Sequence, residues 1–230
     1  MKFGVITFPG SNCDQDMVYV LETIMGQQVE KLWHKDHDLK GCEMIVLPGG
    51  FSYGDYLRSG AIARFSPIMQ EVIEFANNGG YVFGVCNGFQ ILCESGLLPG
   101  TLQHNAQRKF VCKNVYLRSE TQNSMITREI EKGTVLKVPI AHGEGNYYDS
   151  AEAIQRLEDN DQVLFRYCDA DGKVSPESNP NGTTNNIAGI CNTRRNVFGM
   201  MPHPERAADA ELRNEDGRRL FESILAEVMA

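Results

Sequence analysis

Tyr81-Val82-Phe83-Gly84-Val85-Cys86-Asn87-Gly88-Phe89-Gln90-Ile91-Leu92 is the stretch on which the fold turns. An apolar, β-branched run meets Gly-x-Cys-x-Gly and then a segment of helical character. That order predicts a strand turning sharply into a helix with a reactive atom at the bend, a nucleophile elbow. Gly84 and Gly88 flank the bend, where side chains would collide with neighbouring backbone. Cys86 falls at the first turn of the helix, beside the positive end of its dipole, which favours thiolate over thiol. A free cysteine is more often a small buried hydrophobe. The surrounding pattern points instead to a nucleophile.

A nucleophilic thiol needs a base, and the chain offers His34, His37, His104, His142 and His203. His203 sits in Met200-Met201-Pro202-His203-Pro204-Glu205-Arg206, where two prolines restrict the backbone on either side of the imidazole. In an extended segment Glu205 lies on the same side as His203 and can accept from one ring nitrogen, leaving the other for the thiol. The preceding apolar run, 197–201, reads as a strand, so both Cys86 and His203 fall at strand carboxyl ends. Catalytic groups gather at that edge of open α/β sheets. His142, in Ala141-His142-Gly143-Glu144-Gly145, is a competitor for the base, with Glu144 as its possible orienting carboxylate. Spacing alone leaves that choice open.

These motifs resemble class I (triad) glutamine amidotransferases: Cys86-Asn87-Gly88-Phe89-Gln90 followed far downstream by His203-Pro204-Glu205. Gly10-Ser11-Asn12-Cys13-Asp14, Pro48-Gly49-Gly50-Phe51-Ser52-Tyr53-Gly54-Asp55 and the His142 segment narrow the resemblance. It is to the glutaminase subunits of phosphoribosylformylglycinamidine synthases, and it runs from Phe3 to the final helix. It implies a catalytic triad of Cys86, His203 and Glu205, and so favours His203 over His142 as base. It also implies an oxyanion hole from the backbone of Gly50 or Phe51 with that of Asn87, and glutamine contacts from Gln90 and His142. The chemistry it implies is hydrolysis of L-glutamine through a cysteine thioester in de novo purine synthesis. The ammonia would pass to a separate ATP-dependent synthetase subunit that makes formylglycinamidine ribonucleotide, often with a small third subunit. ATP and magnesium are then expected in that partner. One position departs from the family, since Arg195 stands before Asn196 where glycine is frequent, and arginine is disfavoured at positive φ.

The residues of the Gly49-Gly50-Phe51 run permit the oxyanion reading on their own chemistry, and it is the resemblance that favours it over a plain turn. Attack on a carboxamide builds charge on oxygen, and glycines after a strand let backbone amides turn into a concave site. A plain strand-ending turn is the alternative. Asn12 and Asp14 are expected to cap the first helix, and Cys93 to lie in the core.

With 230 residues, 42% hydrophobic and 23% charged, the chain has globular composition and is expected to form a single domain spanning 1–230. No apolar run approaches the roughly 20 residues that span a bilayer, and the amino terminus reads as a first strand, not a signal peptide. Seven scattered cysteines without Cys-x-x-Cys spacing argue for reduced cytoplasmic thiols and against a disulfide framework or structural metal site. A net charge of −8 offers no basic footprint for nucleic acid. There is no Gly-x-x-x-x-Gly-Lys phosphate loop, so no cofactor is expected in this chain itself.

Alternating patterns predict strands over 3–8, 28–33, 43–48, 81–85, 109–117, 134–140, 162–168, 187–191 and 197–201. Helices are predicted over 13–25, 61–77, 87–95, 151–158 and 210–229. The expected architecture is α/β: a mostly parallel open sheet with helices on both faces, flavodoxin-like, closed by a late β-hairpin at 187–201. Two other readings fit parts of this pattern. One is a cysteine-elbow deglycase or intracellular protease, which is expected to lack the His203-Pro204-Glu205 ending. The other is a non-catalytic regulatory subunit.

Overall fold

The computed structural model describes residues 1–228 of the chain. In chain order the regular elements are β1 (Lys2–Thr7), α1 (Asp14–Tyr19), β2 (Gln28–Trp33), β3 (Met44–Leu47), α2 (Pro67–Asn77), β4 (Tyr81–Val85), α3 (Asn87–Glu94), β5 (Thr101–Gln103) and β6 (Val111–Ser119). There follow β7 (Val135–His142), β8 (Asn146–Tyr148), α4 (Ala151–Asp159), β9 (Val163–Cys168), β10 (Ile187–Cys191), β11 (Val197–Met200) and α5 (Arg218–Val228). Nine strands make one sheet in the order β2-β1-β3-β4-β11-β10-β9-β6-β7. From β2 to β11 every neighbouring pair is parallel, and from β11 onward every pair is antiparallel. Only β10 and β6 therefore oppose the other strands of this sheet, and β10 with β11 forms the expected hairpin.

The apolar runs explain the layering. All residues of β3, β10 and β11 are buried, as are the last four of β4. Successive strand residues face opposite sides, so unbroken burial means that both faces of the sheet are covered. Helix α1 packs on β1, α2 on β4, and α3 on β3, β4 and β11. The glycines of the elbow set the α3 contact: a Cβ at Gly84 would meet Leu92 and the Gly88 backbone, and one at Gly88 would stand 1.9 Å from the Leu47 carbonyl oxygen.

Element bounds differ from the sequence expectation where local chemistry intervenes. The helix expected over 61–77 begins only at Pro67; Ser66 is extended, as a residue before proline prefers, and 63–65 form a single 3₁₀ turn. The one expected over 13–25 starts at Asp14 and widens into a π-helical turn over Val20–Ile24. Neither Asn12 nor Asp14 caps it: Cys13 is the N-cap residue, without a side-chain cap bond, and Asp14 accepts from the Thr7 hydroxyl. Of the helix expected over 210–229, residues 210–212 form a 3₁₀ turn, Arg213 is left-handed, and the helix runs from Arg218; residue 229 lies outside the described residues. Strands β5 and β8 pair in a small second sheet that the sequence pattern did not reveal. Cys93 is only partly buried, packed against the core.

Arg195 adopts φ +58°, so the hairpin turn takes the left-handed residue despite the arginine. Its guanidinium donates to the carbonyls of Asn123, Asp161 and Asn160, which offsets the backbone strain. Among the described residues no helix is long and apolar enough to cross a membrane.

Candidate active site

Three parallel neighbours, β3, β4 and β11, deliver Gly49-Gly50, Cys86 and His203 past the same edge of the sheet. Cys86 has φ 52° and ψ −107°, a strained conformation for a residue with a side chain, and it is the N-cap of α3. The first amides of α3 lack intrahelical acceptors and gather around the bend. The thiol is buried, with Sγ 3.8 Å from the Ala141 carbonyl oxygen.

His203 is held from both sides. Its backbone N–H donates to Pro139 O of β7, and its Nδ1 lies 2.6 Å from Glu205 Oε1, both side chains being buried. Pro204 starts a short 3₁₀ turn that brings Glu205 back under the ring. Nε2 is buried and makes no hydrogen bond. Burial disfavours the imidazolium, but Glu205 and then the Cys86 thiol outweigh it, so the His203 pKa is raised well above its ordinary value. The structure thus brings Cys86, His203 and Glu205 together.

His142 is arranged differently. Glu144 does not orient it; Asn105 does, with Oδ1 3.0 Å from His142 Nδ1. Burial and then His203 lower the His142 pKa to about 4, so it stays neutral across the physiological range. Glu144 lies instead 3.4 Å from His104 Nδ1, while its backbone carbonyl accepts from Gln90 Nε2 at 2.6 Å. Gln90 is buried, and its Oε1 accepts from Asn87 Nδ2.

A cavity of about 200 Å³ opens onto the thiol, and Gly50, Phe51, Gln90 and His142 line it with Cys86. Asn87 is not in that lining; its side chain is buried against Gln90 and the Ser52 amide. Of the oxyanion donors expected, the Phe51 N–H is committed to Gly10 O at 2.9 Å, so that half of the expectation does not hold in this conformation. A larger depression, about 740 Å³, reaches His203 from another side, but Cys86 does not line it.

Cys13 escaped the sequence reading. It is buried beside His203, and Arg206 Nη2 lies 3.1 Å from its Sγ. Cys13, His203 and Glu205 each bring a ligand atom within 4.8 Å of the others, the one such trio among the described residues. The adjacent guanidinium works against a cation there. Cys13 stood only as a member of the Gly10-to-Asp14 motif and as the first residue of the predicted helix over 13–25, and neither reports a contact made across the fold.

A CobB/CobQ-like glutamine amidotransferase domain matches residues 1–222. The phosphoribosylformylglycinamidine synthase subunit PurQ of Chlorobaculum parvum is 58% identical over 226 residues, covering 98% of this chain and 90% of that protein. The subunit PurQ of Moorella thermoacetica is 56% identical over 225 residues, with 98% and 95% covered. The solved structure of PurLQS from Thermotoga maritima superposes with a TM-score of 0.87 at 41% identity, covering 99% and 98%. A glutamine amidotransferase structure from Thermotoga maritima, at 16% identity and a TM-score of 0.57 over 99% and 91%, shares the fold. This chain belongs to the glutamine amidotransferases, within the PurQ subunits of phosphoribosylformylglycinamidine synthase.

Proposed function

We propose that this chain hydrolyses L-glutamine with Cys86 as nucleophile, His203 as general acid and base, and Glu205 as the group that orients the imidazole. The observation that carries this reading is the seat of Cys86 at the bend before α3, beside an imidazole whose far nitrogen is tied to a buried carboxylate. The thiol proton passes to His203 Nε2, and the sulfur attacks the carboxamide carbon. Charge on the carbonyl oxygen is met by the Asn87 N–H at the start of α3 and by the backbone at Gly50. His203 then gives its proton to the departing nitrogen, and ammonia leaves a γ-glutamyl thioester on Cys86. A water, deprotonated by His203, attacks that thioester; glutamate leaves and the thiol is restored. Glutamine and water go in, and glutamate and ammonia come out.

The ammonia is used elsewhere, by an ATP-dependent synthetase subunit that amidates formylglycinamide ribonucleotide. What supports this is the similarity to PurQ subunits and to the PurLQS structure, which also favours a small third subunit as a partner. The test is glutamate release by the chain together with a synthetase subunit, nucleotide and acceptor, with and without Cys86→Ala. A glutamine-like diazo-ketone should label Cys86 and spare the other six cysteines. Undiminished glutamate release by the Ala variant overturns the assignment.

A further inference from the structure

The cavity beside Cys86 holds more acid than thiol chemistry needs. Asp55 and Glu144 line it, and no lysine or arginine does among the described residues. Asp55 ends a run of left-handed backbone, with Tyr53, Gly54 and Asp55 at φ 53°, 65° and 52°. The Tyr53 hydroxyl anchors that run on His34 and Ser66, at 2.7 and 2.8 Å. Asp55 Oδ1 is buried without a hydrogen-bond partner. Glu144 is held loosely, with Oε2 3.4 Å from the Ser59 amide and Oε1 3.4 Å from His104 Nδ1. Burial first, and then Glu144, raise the Asp55 pKa to about 6, with Ser59 opposing them.

Acidic pairs are common, and His142 is what distinguishes this one. It lines the same cavity and is only 3% exposed. Its tautomer follows from Asn105, whose Nδ2 donates to the carbonyls of Lys109 and His142 and whose Oδ1 accepts from Gly145 N. Asn105 Oδ1 can only accept, so His142 Nδ1 carries the proton and Nε2 a bare lone pair. That lone pair is buried with no partner. His142 lines the cavity while Asn105, which holds its Nδ1, does not. The cavity thus offers acceptors on three side chains and calls for a ligand that is cationic and rich in donors.

We infer that Asp55 and Glu144 form the subsite for the α-ammonium group of the substrate amino acid, with His142 Nε2 a further acceptor facing the substrate. This rests on the glutaminase reading and deepens it. An ammonium brings three donors and one positive charge, and charge-assisted bonds to two carboxylates relieve their mutual repulsion. A plain carboxamide would leave Asp55 Oδ1 buried and unpaired. The subsite therefore selects α-amino acid amides over amides in general.

The experiment compares L-glutamine with 4-carbamoylbutanoate, which has the same carboxamide and carboxylate but no α-amino group. Ammonia release is measured in the assembly with the synthetase subunit, nucleotide and acceptor. The wild-type chain should prefer glutamine by at least about 100-fold in kcat/KM. Asp55→Asn and Glu144→Gln should each raise KM for glutamine at least about 10-fold with kcat within about 3-fold, and leave kcat/KM for 4-carbamoylbutanoate within about 3-fold. The rate at which iodoacetamide alkylates Cys86, followed by mass spectrometry, should be unchanged in both variants. Equal losses on both substrates, slowed alkylation, or a wild-type chain that does not discriminate would overturn the subsite. Turnover of neither substrate by the wild-type assembly would instead overturn the glutaminase reading, and the subsite with it.

Discussion

A Cβ on Gly49 would stand 2.7 Å from Cε1 of His203, so the imidazole occupies its seat only because residue 49 has no side chain. The same added atom would lie 3.0 Å from Cys13 Sγ and 3.4 Å from Cys86 Cβ. Gly49 is where the thiol, the imidazole and the second buried thiol meet. The backbone just past β3 is what sets their spacing.

Gly49→Ala tests that relationship. Glu205 and Pro139 pin His203, so the ring cannot swing aside freely, and a displacement approaching an ångström costs on the order of 100-fold in rate. Glutamate production should fall by about that factor, while glutamine KM moves by less than about 3-fold and the far-ultraviolet spectrum is retained. Near-wild-type kcat would mean that the seat is looser than the geometry implies.

Removing His203 should cost far more than removing its carboxylate, because proton transfer has no substitute whereas orientation is partly kept by packing. We expect about 1,000-fold or more from His203→Ala and about 10- to 100-fold from Glu205→Gln. The pH profile adds a direction. Glu205 is the largest of the influences that raise the His203 pKa against burial, so Glu205→Gln lowers it. The pH at which His203 gives up its proton, read from Cys86 alkylation across pH, should move down. An upward shift, or His142→Ala proving the more damaging change, would contradict the assigned triad.

Asp55 makes a prediction about stability as well as binding. Burial pushes its carboxyl up from the ordinary 3.8 to about 6, so folding disfavours the ionised form. The sign follows by linkage: the cost is absent below about pH 3.8, grows between there and about 6, and is full above that. Asp55→Asn should therefore raise Tm at pH 7.5, by an amount equivalent to about 1 kcal/mol after allowing for solvent screening. The advantage should vanish near pH 4. A thermal melt of both chains at the two pH values decides it; an Asn variant less stable at pH 7.5 would show that the ionised carboxyl is well satisfied.

Arg195 separates strain from bonding. Glycine would relax the left-handed backbone but lose three carbonyl contacts, whereas alanine loses the contacts and keeps the strain. Arg195→Ala should cost about 1 to 3 kcal/mol in denaturant unfolding and Arg195→Gly about 1 kcal/mol less. The turn precedes β11 and His203 follows it, so kcat should be unchanged in both.

Arg195 also shows where sequence reading stops. Its conformation was in question because propensity argues against it, and the answer lay in carbonyls near residues 123 and 160, far along the chain. The elbow was legible because strand, glycines, cysteine and helix are consecutive, and His203 and Glu205 because they are two residues apart. Choosing between His203 and His142 from the residues alone was not possible, since the deciding partner of His142 is Asn105, which no spacing rule connects to it. Asp55 likewise sat inside a recognised motif, yet its meeting with Glu144 depends on how two loops close. Helix ends failed where a single residue overrode periodicity, as Pro67 does at the start of α2. Three-residue strands such as β5 and β8 carry too little alternation to be seen.

The Phe51 amide is a committed donor. In this conformation it donates to Gly10 O, and turning the peptide between Gly50 and Phe51 would break a bond worth about 1 kcal/mol. Gly50 has φ +148° and a neighbouring residue 11–12 backbone that would collide with any Cβ, so only glycine can hold this peptide as it stands. Such a peptide can serve as a switch: tied to Gly10 the oxyanion site has one donor fewer, and released it gains one. A partner that binds the released form more tightly shifts the population toward it by that difference and no more. One added donor is worth about 100-fold in rate. Steady-state glutamate production should therefore rise by about that factor when the synthetase subunit, nucleotide and acceptor are added to the isolated chain. Gly50→Ala, whose added Cβ meets the Asn12 amide in the tied form, should narrow the gap between the basal and the stimulated rate. Equal turnover with and without the partner would leave the triad in place but remove the switch.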